Sequence, residues 1–130
     1  MPVDLIRSPD LAATAPYAYA SVVTAGSLVF TAGACPLDAD GRIGPPDDVP
    51  GQAVRVMENL VTALAAAGAS LADVAKTTVY VAGASYDAQS AVWQVVRSSE
   101  IGRAPSTLVG VPTLGYRGQL VEVEAIALID

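Results

Sequence analysis

A chain without histidine must do its acid–base work with carboxylates, and Glu122 is the carboxylate best placed for it. It lies within Val121-Glu-Val-Glu-Ala-Ile-Ala127, which alternates like a core strand, so its side chain must be solvated, paired or turned into a cleft. The alternative role is structural: Glu122 and Glu124 could line a wet edge or make interface ion pairs, which perturb carboxylates as catalytic sites do. The missing imidazole also removes Ser-His and Cys-His nucleophile pairs and the usual zinc sites. Cys35, the only cysteine, would need a cation or a helix start beside it to react as a thiolate, and the nearest cation in sequence, Arg42, lies beyond a turn. A packed or pocket-lining thiol is therefore expected. Three other segments stand out: Ala15-Pro-Tyr17, Thr31-Ala-Gly-Ala-Cys-Pro36 and Arg103-Ala-Pro-Ser-Thr107. Nothing in this set calls for a metal or a cofactor.

The elements that must position these residues follow from periodicity. Residues 3–7 read as a short strand, and Ala20–Thr24 and Ser27–Thr31 as two more, joined through Ala25-Gly26-Ser27 in an expected hairpin. Asp38-Ala-Asp-Gly41 reads as a turn, since the later ligands of a calcium loop are missing. A helix opens at Pro50 and runs to about Ala67, with Ala53, Val56, Met57, Leu60, Leu64 and Ala67 inward and Gln52, Arg55, Glu58, Asn59 and Thr62 mostly outward. Gly68 stops it, and Ser70 with Asp73 caps a short turn. Thr77–Val81 alternates as a strand. Ser85 caps a second helix to about Ser98, with Ala88, Val92, Val95 and Val96 toward the core. Trp93 and Tyr80 read as packing residues. Pro105 precedes a strand at Ser106–Val111, and Leu120–Ile129 forms a long last strand.

The order β-β-β-α-β-α-β-β makes one α+β domain over residues 1–130, with two helices to cover one face of a sheet of about six strands. The other face is the informative one. In the last strand Val121, Val123, Ala125, Ala127 and Ile129 form one row, and Leu120, Glu122, Glu124, Ile126 and Leu128 form a second that is apolar at its far end. A sheet with apolar groups on both faces and helices for one needs a partner, and self-association is the simplest supply.

Composition narrows the function classes. The net charge of −6, with basic residues scattered, argues against a nucleic-acid surface. Residues 1–10 lack the basic start and apolar run of a signal peptide, and the most apolar early stretch, residues 21–35, is too short and too polar to span a bilayer. With one cysteine and no disulfide, a cytoplasmic protein without membrane contact is expected.

Taken together, the motifs resemble the RidA/YjgF family of small trimeric proteins. Pro16-Tyr17, Thr31-Ala-Gly33, Met57-Glu-Asn-Leu60, Lys76-Thr-Thr-Val-Tyr-Val81 and Val121–Ala127 fall in the family's order over nearly the whole chain. The resemblance implies a chorismate-mutase-like fold, with three subunits packing their sheets into a central barrel and their helices outside. It also implies small-molecule clefts between subunits and, in many members, hydrolysis of 2-imino or enamine acids to 2-oxo acids and ammonia. In such members a glutamate handles water, a tyrosine lines the pocket, and an arginine forks onto the substrate carboxylate. Tyr17, Gly33 and Glu122 carry over.

The departures are equally specific. The family's Pro-Ala-Arg-Ser falls on Ala104-Pro105-Ser106-Thr107, so Ser106 stands where the arginine belongs and Leu108 where a cysteine is frequent. Arg103 and Arg117 are the candidate replacements, and Tyr86 and Cys35 the further candidates to line the cleft. The implied activity is a hydrolase or deaminase-like one acting on a reactive imine or enamine. The alternative is a non-catalytic trimer, a ligand-binding or regulatory module using the same clefts, and Ser106 is the feature that separates the two.

Overall fold

Short local signals mark the ends of both helices within a residue or so of where the sequence places them, while the strand expected at Thr77–Val81 extends over Val74–Ala82. The computed structural model describes residues 3–130, so Met1 and Pro2, where the reading of a missing leader begins, lie outside the described residues. Its elements are β1 (Val3–Ile6), β2 (Ala20–Val23), β3 (Ser27–Phe30), α1 (Val49–Ala66), β4 (Val74–Ala82), α2 (Tyr86–Arg97), β5 (Ser106–Val111) and β6 (Val121–Ile129). The Asp48 carboxylate caps α1 by accepting from the Gly51 amide at 2.9 Å, and Gly68 takes a left-handed φ of 84° just past its end. Ser85 caps α2 through the Ala88 amide at 3.1 Å, with Asp87 in its first turn and Arg97 in its last, both matched to the helix dipole. Ser70 and Asp73 form a reciprocal capping box on a 3-10 turn.

A four-stranded sheet in the order β3-β6-β4-β5 carries both helices on one face. Strands β4 and β5 are parallel, so the chain must cross over between them, and α2 is that crossover. Val56, Leu60 and Leu64 of α1 and Val92 and Val96 of α2 pack on Val79, Val81, Val121, Val123, Ala125 and Ala127. Each fully buried valine or leucine side chain here contributes roughly 1.5–3 kcal/mol relative to exposure.

Two expectations are corrected. The β2–β3 hairpin does not form: β2 pairs antiparallel with β1 (Val3↔Val23), while β3 pairs with β6 (Ser27↔Ile129). Gly26, at a φ of 114°, switches the chain between two ribbons, and a Cβ there would strike the Ile129 carbonyl. The sheet of about six strands is thus one of four plus a ribbon of two. That ribbon lies over one end of the open face, where Val3 packs on Ala75 and Leu128 and Ser21 Oγ donates to the Ala75 carbonyl. Beyond it the face stays open, with Phe30 68% and Leu28 53% exposed.

The second correction concerns α1. Gln52 and Asn59 were expected outward, but Gln52 is fully buried and Asn59 half-buried, whereas Ala67 is exposed. Gln52 Nε2 donates to the carbonyls of Pro45 and Gly118 (3.0 and 3.1 Å), and its Oε1 accepts from the Leu120 amide at 2.8 Å. Asn59 Nδ2 donates to the carbonyls of Cys35 and Leu37 at 2.8 and 2.9 Å. Both side chains satisfy loop backbone that would otherwise be buried without partners.

Candidate functional site

Glu122 projects from β6 on the open face, opposite Tyr80 of β4. Its Oε1 accepts from Gln119 Nε2 at 3.0 Å and from the Cys35 thiol at 3.3 Å. Gln119 is nearly buried and fully engaged, because Nε2 also donates to the Val121 carbonyl and Oε1 accepts from the Tyr116 amide, both at 3.1 Å. The Cys35 segment is held from two sides, by the Ala34–Val123 backbone bridge and by Asn59 of α1. Gly33 lies so close that a Cβ there would collide with the Glu122 carboxylate. The glycine is needed for close approach, since its φ is not among the positive ones. A carboxylate with one oxygen tethered twice and the other along a bare backbone is a fixed acceptor for water or a ligand N–H.

Electrostatics around it suppress the competing nucleophile. Burial, then the hydrogen bond to Glu122 and its charge, push the Cys35 thiol up to about 11, with Gln119 acting in the opposite direction. Relative to the ordinary 9.0, the thiolate at neutral pH is about a hundredfold scarcer, of which its greater nucleophilicity recovers roughly tenfold. Alkylation by iodoacetamide at neutral pH should therefore run about tenfold slower than for an unperturbed thiol, and the rate should keep climbing beyond pH 9 toward 11. A plateau near pH 9 would mean that neither the burial of the thiol nor its contact with Glu122 holds in solution. Tyr80 is shifted the same way, chiefly because its hydroxyl donates to Glu124 Oε1 at 2.8 Å.

Tyr17, Ser106 and Leu108 come together elsewhere. With Trp93 they line a cleft of about 240 Å³ on the helix-bearing side of the sheet. Tyr17 meets Trp93 edge to face, centroids 6.1 Å apart, so Trp93 is part of a cleft wall as well as a packing residue. The Ser106 hydroxyl accepts from the buried Thr77 hydroxyl at 2.8 Å. In register Ser106 pairs with Thr77 and Leu108 with Val79, whereas Glu122 pairs with Tyr80, so the two groups lie on opposite faces of one sheet.

The remaining candidates are dispersed. Tyr86 is 83% exposed and lines a separate depression with Gln89, Gly110 and Pro112. Arg103 is exposed beside Val3, Leu5 and Glu100, and its carbonyl accepts from the Ala18 amide at 3.0 Å. Arg117 sits on the β5–β6 loop in a depression shared with Tyr116 and with Gln119, the residue that donates to Glu122. Neither arginine lines the Tyr17 cleft. Sequence reasoning missed Gln119, Asn59 and Arg7. Asn59 carried a readable signal, since it lies seven residues after Gln52 and both flank the buried Val56. Gln119 carried none, because its role depends on where the β5–β6 loop ends.

The fold is that of a small α+β protein with both helices on one side of its sheet and the Glu122 carboxylate on the other. The family described as "Endoribonuclease L-PSP" matches residues 8–129, and the chain belongs to this RidA/YjgF family. Protein DfrA of Myxococcus xanthus is 34% identical over 116 residues, which span 89% of this chain and 87% of DfrA. Among solved structures, the conserved Rid-family protein YyfB of Yersinia pestis superposes with a TM-score of 0.89 at 27% identity, covering 99% of this chain and 100% of that one. Escherichia coli TdcF, solved with bound serine, gives 0.69 at 28% identity, covering 98% and 99%. The expected family and fold class are thereby established. No helix among the described residues is long and apolar enough to cross a membrane.

Proposed function

We propose that the protein is a Rid-type hydrolase that releases ammonia from a small reactive imine or enamine, in clefts built between three copies of the chain. The observation that carries this reading is the tethered Glu122 carboxylate against Gly33. Water attacks the imine carbon while Glu122 takes one of its protons and passes it to the nitrogen, giving the neutral carbinolamine; on collapse the hydroxyl proton moves to the nitrogen by way of the same carboxylate, the C–N bond breaks, and the carbonyl and ammonia separate. The cleft with Tyr17 lies on the opposite face of the same sheet, so a pocket holding both residues draws them from different copies. The open face, with Phe30 and Leu28 uncovered, supports such packing.

Ser106 sets the substrate apart. It offers a hydroxyl where a guanidinium would fork onto a carboxylate, and neither Arg103 nor Arg117 lines that cleft. A net charge of −6 disfavours RNA as the substrate, despite the family's endoribonuclease description. The serine held by TdcF supports a second reading, a trimer that binds a small metabolite without turning it over.

Ammonia release from freshly generated 2-iminopropanoate tests the reading directly. Ser106→Arg should raise the rate about thirtyfold, equivalent to about 2 kcal/mol of restored charge pairing. A wild-type rate equal to buffer, with no gain in the variant, would end the case for amino-acid-derived imines. Sedimentation as a folded single subunit of 13.2 kDa at micromolar concentration would remove the shared cleft altogether.

A further inference from the structure

The loop that delivers Tyr17 has little of its own to hold it. Between β1 and β2, residues 9–14 are all exposed. Backbone bonds hold only its two ends: the Leu11 amide donates to the Ser8 carbonyl at 3.2 Å near the start, and at the far end the Tyr19 amide donates to the Ile6 carbonyl at 2.9 Å and the Ala18 amide to that of Arg103. Residues 12–17 between them are gathered mainly by one side chain. Arg7 Nη1 donates to the carbonyls of Ala15 at 2.9 Å and Tyr17 at 2.6 Å, and Nη2 to those of Ala12 and Ala13, both at 3.3 Å.

The same guanidinium lies over the Tyr19 ring, 5.3 Å from its centroid, and the Tyr19 hydroxyl donates to the Ala12 carbonyl at 2.6 Å. Tyr19 meets Tyr17 edge to face at 5.8 Å, and Tyr17 meets Trp93 in turn. Loop arginines are ordinarily solvated. Here each terminal nitrogen serves two carbonyls while the guanidinium carbon sits over a ring, a set of contacts that a lysine ammonium cannot reproduce.

We propose that Arg7 is a positioning residue: it gathers residues 12–17 and so fixes Tyr17 against Trp93, setting the width of the cleft that Ser106 and Leu108 line. The consequence for ligand binding rests on reading that cleft as part of the functional site. The gathering itself does not.

Trp93 is the only tryptophan, so the indole emission comes from the ring that Tyr17 meets, and Tyr17→Ala calibrates what loss of that contact does to it. Acrylamide quenching and near-UV circular dichroism would be measured for the wild type, Arg7→Gln, Arg7→Lys and Tyr17→Ala. Arg7→Gln should move both signals toward those of Tyr17→Ala, with Arg7→Lys between, while the melting temperature stays close to the wild type. In the imine assay, Arg7→Gln should raise KM about tenfold with kcat little changed, as expected for a displaced binding wall. Wild-type signals in a folded Arg7→Gln protein overturn the proposal. Equal KM alongside a shifted Trp93 signal overturns the link to binding. A wild type that turns over no imine, with the Trp93 shift present, would defeat the hydrolase reading and leave the clamp standing.

Discussion

Glu122→Gln should keep the fold and lose between about 100- and 10,000-fold of imine hydrolysis, the range associated with removing a general base. The substitution is nearly isosteric. A glutamine carbonyl oxygen can still accept from Gln119 and Cys35, so the local hydrogen bonds survive. What disappears is the ability to take a proton from attacking water and return it to the departing nitrogen. Because that exchange occurs in the transition state, kcat and kcat/KM should fall together. The measurement is steady-state ammonia release, with circular dichroism confirming the fold. Retention of more than about a tenth of the wild-type rate would assign the proton transfer elsewhere and leave Glu122 a structural acceptor.

Gln52→Leu should destabilise the chain by about 3 kcal/mol although it touches no substrate. Leucine fills the space but leaves the carbonyls of Pro45 and Gly118 and the amide of Leu120 without their partner. An unpaired buried polar group costs about 1–3 kcal/mol, and the loop side can recover part of this from water. For a domain of this size the loss corresponds to a melting temperature about 10 °C lower, compared at fixed protomer concentration. Gln52→Glu should do no better, since a carboxylate oxygen would face two carbonyl oxygens. A change below about 1 kcal/mol would mean that water replaces the side chain at no cost. The site should feel the loss as well, because Gly118 and Leu120 flank Gln119, which holds Glu122.

Much of the fold was legible because its signals are local. Ser85, Ser70 and Gly68 mark element ends through bonds or dihedrals spanning only a few residues, and each stands where the sequence places it. The strict alternation of Val121, Val123, Ala125 and Ala127 identified the buried row of β6, and all four are buried. The β2–β3 hairpin was misread because adjacency favours pairing, while the nine-residue β6 offered β3 a better partner from a hundred residues away. The outward reading of Gln52 failed for a related reason: hydropathy scores the side chain alone, and its burial is compensated by carbonyls from two distant loops.

The amino-acid order alone therefore determined the succession of elements, the family, and Tyr17, Gly33 and Glu122 as residues to watch. Helical and strand periods, caps and motifs are written in neighbouring positions, and that is why they could be read. Tertiary structure alone decided that Cys35 and Gln119 tether Glu122, that Ser106 faces away from it, and that Arg7 holds Tyr17 on Trp93. Those relations depend on register and on the closure of loops, where a shift of one residue turns a side chain to the opposite face.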